Sequence, residues 1–373
     1  MDTTRKTAGS EGALKSLREL YSRYGYARFK MSKFEEYDLY ARNKSFLRGD
    51  SIITFTGSGG KLMALRPDVT LSIVKNAKNG AAAEKVYYTE NVYRESKDSR
   101  ELSEILQVGL ECIGEIDLYQ TGEVILLALQ SLAAIGENYI LDISHMGLLS
   151  GLLDTAGAEG DTRDALIGCI REKNAHGIAA VCEKAGIPAE ACRRLTAAAT
   201  LYGPMADTIE KLRQISEGAA EKDALDELSA LHAVLEAAGC ADRVNLDLST
   251  VNDMSYYNGF ILSGFVEGIP DAVLAGGRYD NLLHKMGKTA GAVGFAVYLD
   301  LLEHYNKAEQ GYDADILLLY DDTTDAAALT KAVKMLGDSG KTVRAQKRIP
   351  EGFRYRQLLT MKDRGLEILE TND

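Results

Sequence analysis

Gln107-Val108-Gly109-Leu110-Glu111 lies inside Ser103 to Ile113, a run whose composition reads as a β-strand. Side chains alternate between the two faces of a strand, so Ser103, Ile105, Gln107, Gly109 and Glu111 share one face. A glycine between an amide and a carboxylate leaves open space beside two polar groups. That arrangement suits a small ligand with a cationic or NH-donating group. A solvated strand face is the alternative for an isolated pair of this spacing, and the flanking segments decide between them.

Working outward, Lys85 to Thr89 is expected to pair antiparallel with this strand, and Arg94 follows at the end of an apolar strand in Val92-Tyr93-Arg94-Glu95. Upstream, Ser51 to Thr56, the turn Gly57-Ser58-Gly59-Gly60 and Lys61 to Leu65 spell a β-hairpin. Pro67 breaks its second strand, and Pro67-Asp68 is expected to start a helix through about Lys78. Leu14, Leu17, Leu20, Tyr21 and Tyr24 fall on one face of a helix over Gly12 to Tyr26, with Tyr26 to Glu36 extended after it. Downstream, Asp117 to Gly136 reads as a helix and Tyr139 to Ile143 as a strand.

From Leu148 to Ala241 the texture changes to alanine, Glu, Lys and Leu without β-branched runs, which predicts a helical insertion. Strand signals return at Arg243 to Leu248, Phe260 to Phe265 and Ala272 to Ala275. The tail predicts strand Asp315–Tyr320, helix Asp325–Leu336, strand Thr342–Gln346, helix Arg354–Thr360 and strand Leu366–Leu369, with parallel pairing.

The 373 residues, 46% hydrophobic and 26% charged, have the balance of a globular protein with two or three domains. No apolar run of about 18 residues is present, and Met1 to Gly12 lacks the apolar stretch of a signal peptide, so a cytoplasmic protein without a membrane span is expected. Five cysteines without a C-x-x-C pair and five histidines without H-x-x-x-H spacing predict neither disulfides nor a metal site. The net charge of −12 weighs against a nucleic-acid partner.

Leu65-Arg66-Pro67-Asp68-Val69-Thr70, the Arg94 and Gln107–Glu111 segments, Gly276-Gly277-Arg278-Tyr279-Asp280 and Gly294-Phe295-Ala296-Val297 come in that order along the chain. Together they resemble the catalytic domain of histidyl-tRNA synthetase, well over about residues 10–305 and weakly in the tail. The resemblance implies an α/β (α+β) fold, a class II aminoacyl-tRNA synthetase-like antiparallel sheet flanked by helices. It implies a core at 1–147 and 242–310, a helical insertion at 148–241, and a truncated anticodon-binding-like unit at 311–373. It further implies a histidine pocket of Asp68, Thr70, Arg94, Gln107, Glu111, Tyr256, Tyr257 and Tyr279. Asp68 and Thr70 would hold the amino group, with Asp where the family usually has Glu. Gln107 would lie near the amino-acid backbone, Glu111, Tyr256 and Tyr257 near the imidazole, and Arg94 on the carboxylate and α-phosphate. Arg278 is left open between touching a ligand and pairing with a nearby acid.

The activating half of that site departs from the family. Adenylation needs preorganised cations around an anionic phosphorus centre. Of the family's two arginines, one aligns with Asn252, followed by Asp253-Met254-Ser255, and the other with Leu301. The glycine that makes room for the nucleotide is Tyr298, and the loop usually rich in Arg and Pro is Ser96 to Ser103. The motif 1 proline is Ser32, and the N-terminal signature is reduced to Thr3-Thr4-Arg5-Lys6.

These departures resemble those of the regulatory subunit of ATP phosphoribosyltransferase, a synthetase paralogue without catalysis of its own. That likeness implies a short catalytic subunit as partner, histidine as ligand, a homodimer within a larger hetero-oligomer, and neither cofactor nor tRNA. A divergent histidyl-tRNA synthetase is the alternative, and a paralogue with a sensing or scaffold role a third.

Overall fold

The computed structural model describes residues 10–47, 52–78, 82–95, 101–251, 256–302, 312–362 and 365–372. The chain divides into two compact units, Met1–Glu303 and His304–Asp373.

In the first unit, helix α1 (Ser10–Arg23) is followed by β1 (Ala27–Arg28), β2 (Phe34–Glu36) and the short helix α2 (Tyr37–Arg42). The expected hairpin forms as β3 (Thr54–Thr56) and β4 (Leu62–Leu65), and α3 (Thr70–Asn76) starts three residues after Pro67. The Asp68 carboxylate accepts the Leu71 N–H at 2.9 Å, which satisfies one of the donors that a helix start leaves over. Two long strands, β5 (Glu84–Glu95) and β6 (Leu102–Gly114), lead to α4 (Leu118–Ile135) and β7 (Tyr139–His145).

The alanine-rich stretch folds as α5 (Met146–Thr155), α6 (Gly160–Arg171), α7 (Ala175–Ala185) and α8 (Ala189–Thr200). After a three-residue strand, β8 (Tyr202–Pro204), it continues as α9 (Met205–Ile215) and α10 (Ala219–Ala237). Then come β9 (Val244–Asp247), β10 (Phe260–Val266), β11 (Leu274–Arg278), α11 (Asp280–Lys285) and β12 (Gly291–Tyr298).

Nine strands form one sheet in the order β1-β5-β6-β12-β11-β10-β7-β9-β8, and β2-β4-β3 form a small second sheet. Only β1–β5 and β7–β9 pair in parallel within the large sheet, so the architecture is the antiparallel, helix-flanked α/β class read from the sequence. β8, unforeseen within the helical stretch, pairs antiparallel with β9 at the sheet edge. On one face lies α4, opened by a capping box of Asp117 and Gln120. It is the one described helix long and apolar enough to cross a membrane, yet 61% of that stretch is buried inside the fold. α1 packs on it through fully buried Leu17 and Tyr21, the Tyr21 hydroxyl meeting Ser131 at 2.9 Å. For the site, the decisive pairing is β6 with β12, which sets Glu111 opposite Gly294 and Gln107 opposite Tyr298.

The second unit has β13 (Ala314–Leu319), α12 (Ala326–Asp338), β14 (Val343–Gln346), β15 (Tyr355–Lys362) and β16 (Gly365–Thr371). Leu329, Val333 and Leu336 of α12 cover Ile316, Leu318 and Leu359. The sequence predicts a helix over Arg354–Thr360, and this is corrected: the segment is strand β15. It lies parallel to β13 and antiparallel to β16, with the adjacent residues Leu358 and Leu359 both buried. Burial on both faces removes the alternation that marks a strand, and so short an apolar run is compatible with either structure until its neighbours are known.

Candidate functional site

Glu111 is the centre of the site. Its side chain points from β6 into the interior at 2% exposure. Each carboxylate oxygen accepts one hydroxyl: Thr70 Oγ1 donates to Oε1 at 2.8 Å and Tyr279 Oη to Oε2 at 2.5 Å. Burial pushes the Glu111 carboxyl up to about 8; the Tyr279 and Thr70 hydroxyls pull the other way, and Asp68 adds to the rise. The sheet makes room for this group by a glycine. A Cβ on Gly294, directly across the strand pair, would stand 1.7 Å from Glu111 Oε2.

Around the acid stands an aromatic wall. The Tyr256 ring centroid lies 4.5 Å from that of Tyr257 and 5.7 Å from those of Tyr279 and Phe46. Burial raises the Tyr256 and Tyr279 phenols well above their ordinary range, so both stay hydroxyl donors. Tyr257 owes its place to Gly277, where a Cβ would come within 2.7 Å of the Tyr257 ring. Asp68 faces the same space, since its charge is felt at Glu111, Tyr88 and Tyr256.

Arg94 reaches the segment from β5, where its Nε donates to the Pro67 carbonyl at 3.0 Å, at the entry to the Asp68–Thr70 stretch. Gln107 is 4% exposed and shares the Glu111 face of β6, as the two-residue period requires. The structure thus brings Asp68, Thr70, Arg94, Gln107, Glu111, Tyr256, Tyr257 and Tyr279 to one region. Asn252, Asp253 to Ser255, Ser96 to Arg100 and Thr3 to Lys6 lie outside the described residues. Tyr298 is half-buried opposite Gln107, and Leu301 is half-buried in the turn that follows β12.

Two residues of the site have no motif to announce them. Tyr88, 1% exposed, pairs across β5–β6 with Gly109, and a Cβ on Gly109 would meet its hydroxyl at 2.4 Å. The only signal was a glycine facing an expected strand, which carries no partner until the register is fixed. Phe46 closes the wall beside Tyr256, with Lys285 Nζ 4.7 Å from its ring centroid. Arg278 is settled by geometry, because its Nε donates to Asp280 Oδ2 at 2.9 Å. Arg66 is fully buried and binds Glu90 at 2.9 Å, the Ser32 carbonyl and the Asn91 carbonyl, so it ties β4 to β2 and β5. A separate cavity of about 770 Å³, lined by Gly114, Asp117, Gln120, Arg278, His284 and Gly291 among others, includes none of the eight predicted pocket residues.

A largely antiparallel sheet whose central strands hold an enclosed acid, hydroxyl donors and an aromatic wall is a class II aminoacyl-tRNA synthetase-like core. The sequence model of the histidyl-tRNA synthetase family matches residues 4–302. An ATP phosphoribosyltransferase regulatory subunit from Caldanaerobacter subterraneus subsp. tengcongensis is 30% identical over 325 residues, covering 84% of each chain. The crystal structure of an ATP phosphoribosyltransferase regulatory subunit/histidyl-tRNA synthetase from Bacillus halodurans C superposes with a TM-score of 0.74 at 26% identity, covering 95% of this chain and 96% of that one. A chain from the ATP phosphoribosyl transferase complex of Thermotoga maritima shares the fold at a TM-score of 0.62 and 20% identity, covering 78% of this chain and 97% of that one. The chain belongs to the histidyl-tRNA synthetase family and, within it, to the ATP phosphoribosyltransferase regulatory subunits.

Proposed function

We propose that this chain has no catalytic activity of its own, activates a short ATP phosphoribosyltransferase catalytic subunit and senses histidine through the Glu111 pocket. The observation that carries this reading is the contrast within the site. The acid, hydroxyls and rings that suit a small nitrogenous ligand are assembled, whereas Tyr298 and Leu301 stand where the synthetase family places nucleotide-binding glycine and arginine. Among the described site residues Arg94 is the remaining guanidinium not committed to an acid, and one cation falls short of what a crowded phosphorus centre needs.

In this reading Asp68 and Thr70 hold the amino group and Glu111 with Tyr256 and Tyr257 the imidazole. Residues 148–241 are an insertion on a synthetase-like core, and the assembly is a homodimer within a larger hetero-oligomer. Histidine acts by its difference in affinity between assembly states, typically a few kcal/mol. The Thermotoga maritima complex supports a catalytic-subunit partner, in a relative of the same fold.

The test is reconstitution. Phosphoribosyl transfer to ATP by the short catalytic subunit is expected to rise when the full chain is added and to fall again with histidine. A rate indifferent to the chain would sink the regulatory role. A rate raised by the chain but indifferent to histidine would sink the sensing role alone.

A further inference from the structure

We infer that Glu111 is a neutral carboxylic acid in the ligand-free pocket and passes its proton to the ligand's ring nitrogen, so that the site selects a basic aromatic heterocycle such as imidazole. This rests on the pocket being a histidine site. The geometry behind it is the company Glu111 keeps. At 2% exposure its two oxygens meet only the hydroxyls of Thr70 and Tyr279. The titratable groups that face it are Asp68 before α3, Tyr88 on β5, Tyr26 and Cys112 beside the sheet, and Tyr256 and Tyr279 on the wall.

Those groups are an acid, phenols and a thiol; among the described residues no cation touches the Glu111 carboxylate. An ionised carboxylate there would be a buried charge without a counter-ion, which a low-dielectric interior does not tolerate. The upward shift of its pKa to about 8 agrees with that geometry.

On binding, the carboxyl O–H bond breaks and a ring N–H bond forms, leaving a carboxylate–imidazolium pair. The negative faces of the neighbouring tyrosine rings favour the new cation. A ring of similar size that cannot accept a proton leaves the buried acid unmatched, and sites built this way reject such analogues strongly.

The experiment is calorimetric titration of the full chain with histidine in buffers of different ionisation enthalpy, at two pH values either side of the imidazole's ordinary pKa of about 6.5. At about pH 5.5 the free ligand is charged and Glu111 protonated, so one proton is released per histidine. At about pH 7.2 both partners start neutral, the proton moves between them, and net exchange is close to zero.

No release at the lower pH with uptake of one proton at the higher would mean that Glu111 is already ionised, and would overturn the inference. Binding heat with no proton exchange at either pH would overturn it too, because the ring would then bind uncharged. No heat at all would remove the histidine reading of the pocket and the inference with it. E111Q, shown to be folded by circular dichroism, should abolish the release at the lower pH. A ring-fluorinated histidine, close in size but far less basic, should bind at least about tenfold more weakly.

Discussion

Glu111 in the sheet and Glu221 in α10 are buried to nearly the same degree, at 2% and 0% exposure, and are held in opposite ways. Glu221 is met by Arg194 of α8 through both oxygens, at 2.8 and 2.7 Å, and also by the Thr155 hydroxyl and the Glu217 N–H. Burial pushes its carboxyl up, but Thr155, Glu217 and Arg194 together outweigh that and hold it below the ordinary value. Glu111 has hydroxyls only, and its carboxyl rises to about 8. The helical stretch brings its own cation to its buried acid and thereby locks α5, α8 and α10 together. The sheet brings none, and that is what makes Glu111 a place for a ligand rather than a strut.

The strongest challenge to this comparison is Arg194→Met, which leaves Glu221 buried without its counter-ion. Chemical denaturation should show a loss on the order of 3–5 kcal/mol. A loss below about 1 kcal/mol would mean that the pair is no lock at all.

Next in size is the pH dependence of Glu111 itself. Its pKa is raised on folding from the ordinary 4.5 to about 8, so the folded state keeps the proton longer than the unfolded chain does. Its contribution to stability is therefore whole below about pH 4.5 and is lost as pH rises through about 8. Relative to E111Q, which has nothing to titrate there, the parent chain should weaken by on the order of 2 kcal/mol between pH 5 and pH 8. Parallel stability curves for the two would place a cation beside Glu111 after all.

Gly294→Ala probes the space rather than the charge. Its methyl group would overlap the Glu111 carboxylate and crowd the Leu110 carbonyl, 2.4 Å away. The overpacking should cost about 1–3 kcal/mol and weaken histidine binding by at least about tenfold. Tyr279→Phe is the mildest change: losing one hydroxyl donor should lower histidine affinity by roughly fivefold, about 1 kcal/mol, with the fold unchanged. Unaltered affinity in a calorimetric titration of that variant would detach Tyr279 from the ligand.

What the sequence discloses of these two glutamates differs for a physical reason. Gln107, Gly109 and Glu111 fall on one face by the two-residue period, which needs no knowledge of the rest of the fold. The antiparallel β5–β6 partner is likewise a local reading. Tyr88 and Phe46 escape it because each enters the site through a pairing or packing contact set by distant strands. The Arg194–Glu221 pair joins helices 27 residues apart through their tertiary packing, and single residues of an Ala/Glu/Lys/Leu stretch look alike before that packing exists. Strand β15 was misread for the converse reason, since two adjacent buried leucines erase the periodicity on which a strand assignment depends.

The central claim is a ligand pocket retained on a core that no longer activates its ligand. Histidine-dependent exchange between ATP and pyrophosphate, measured on the purified full chain alongside calorimetric titration with histidine, tests it most directly. The account predicts saturable histidine binding with exchange no faster than in the absence of protein. Exchange at a synthetase-like rate would contradict it, because the phosphate charges expected to be missing at Asn252 and Leu301 would then be supplied from elsewhere in the chain.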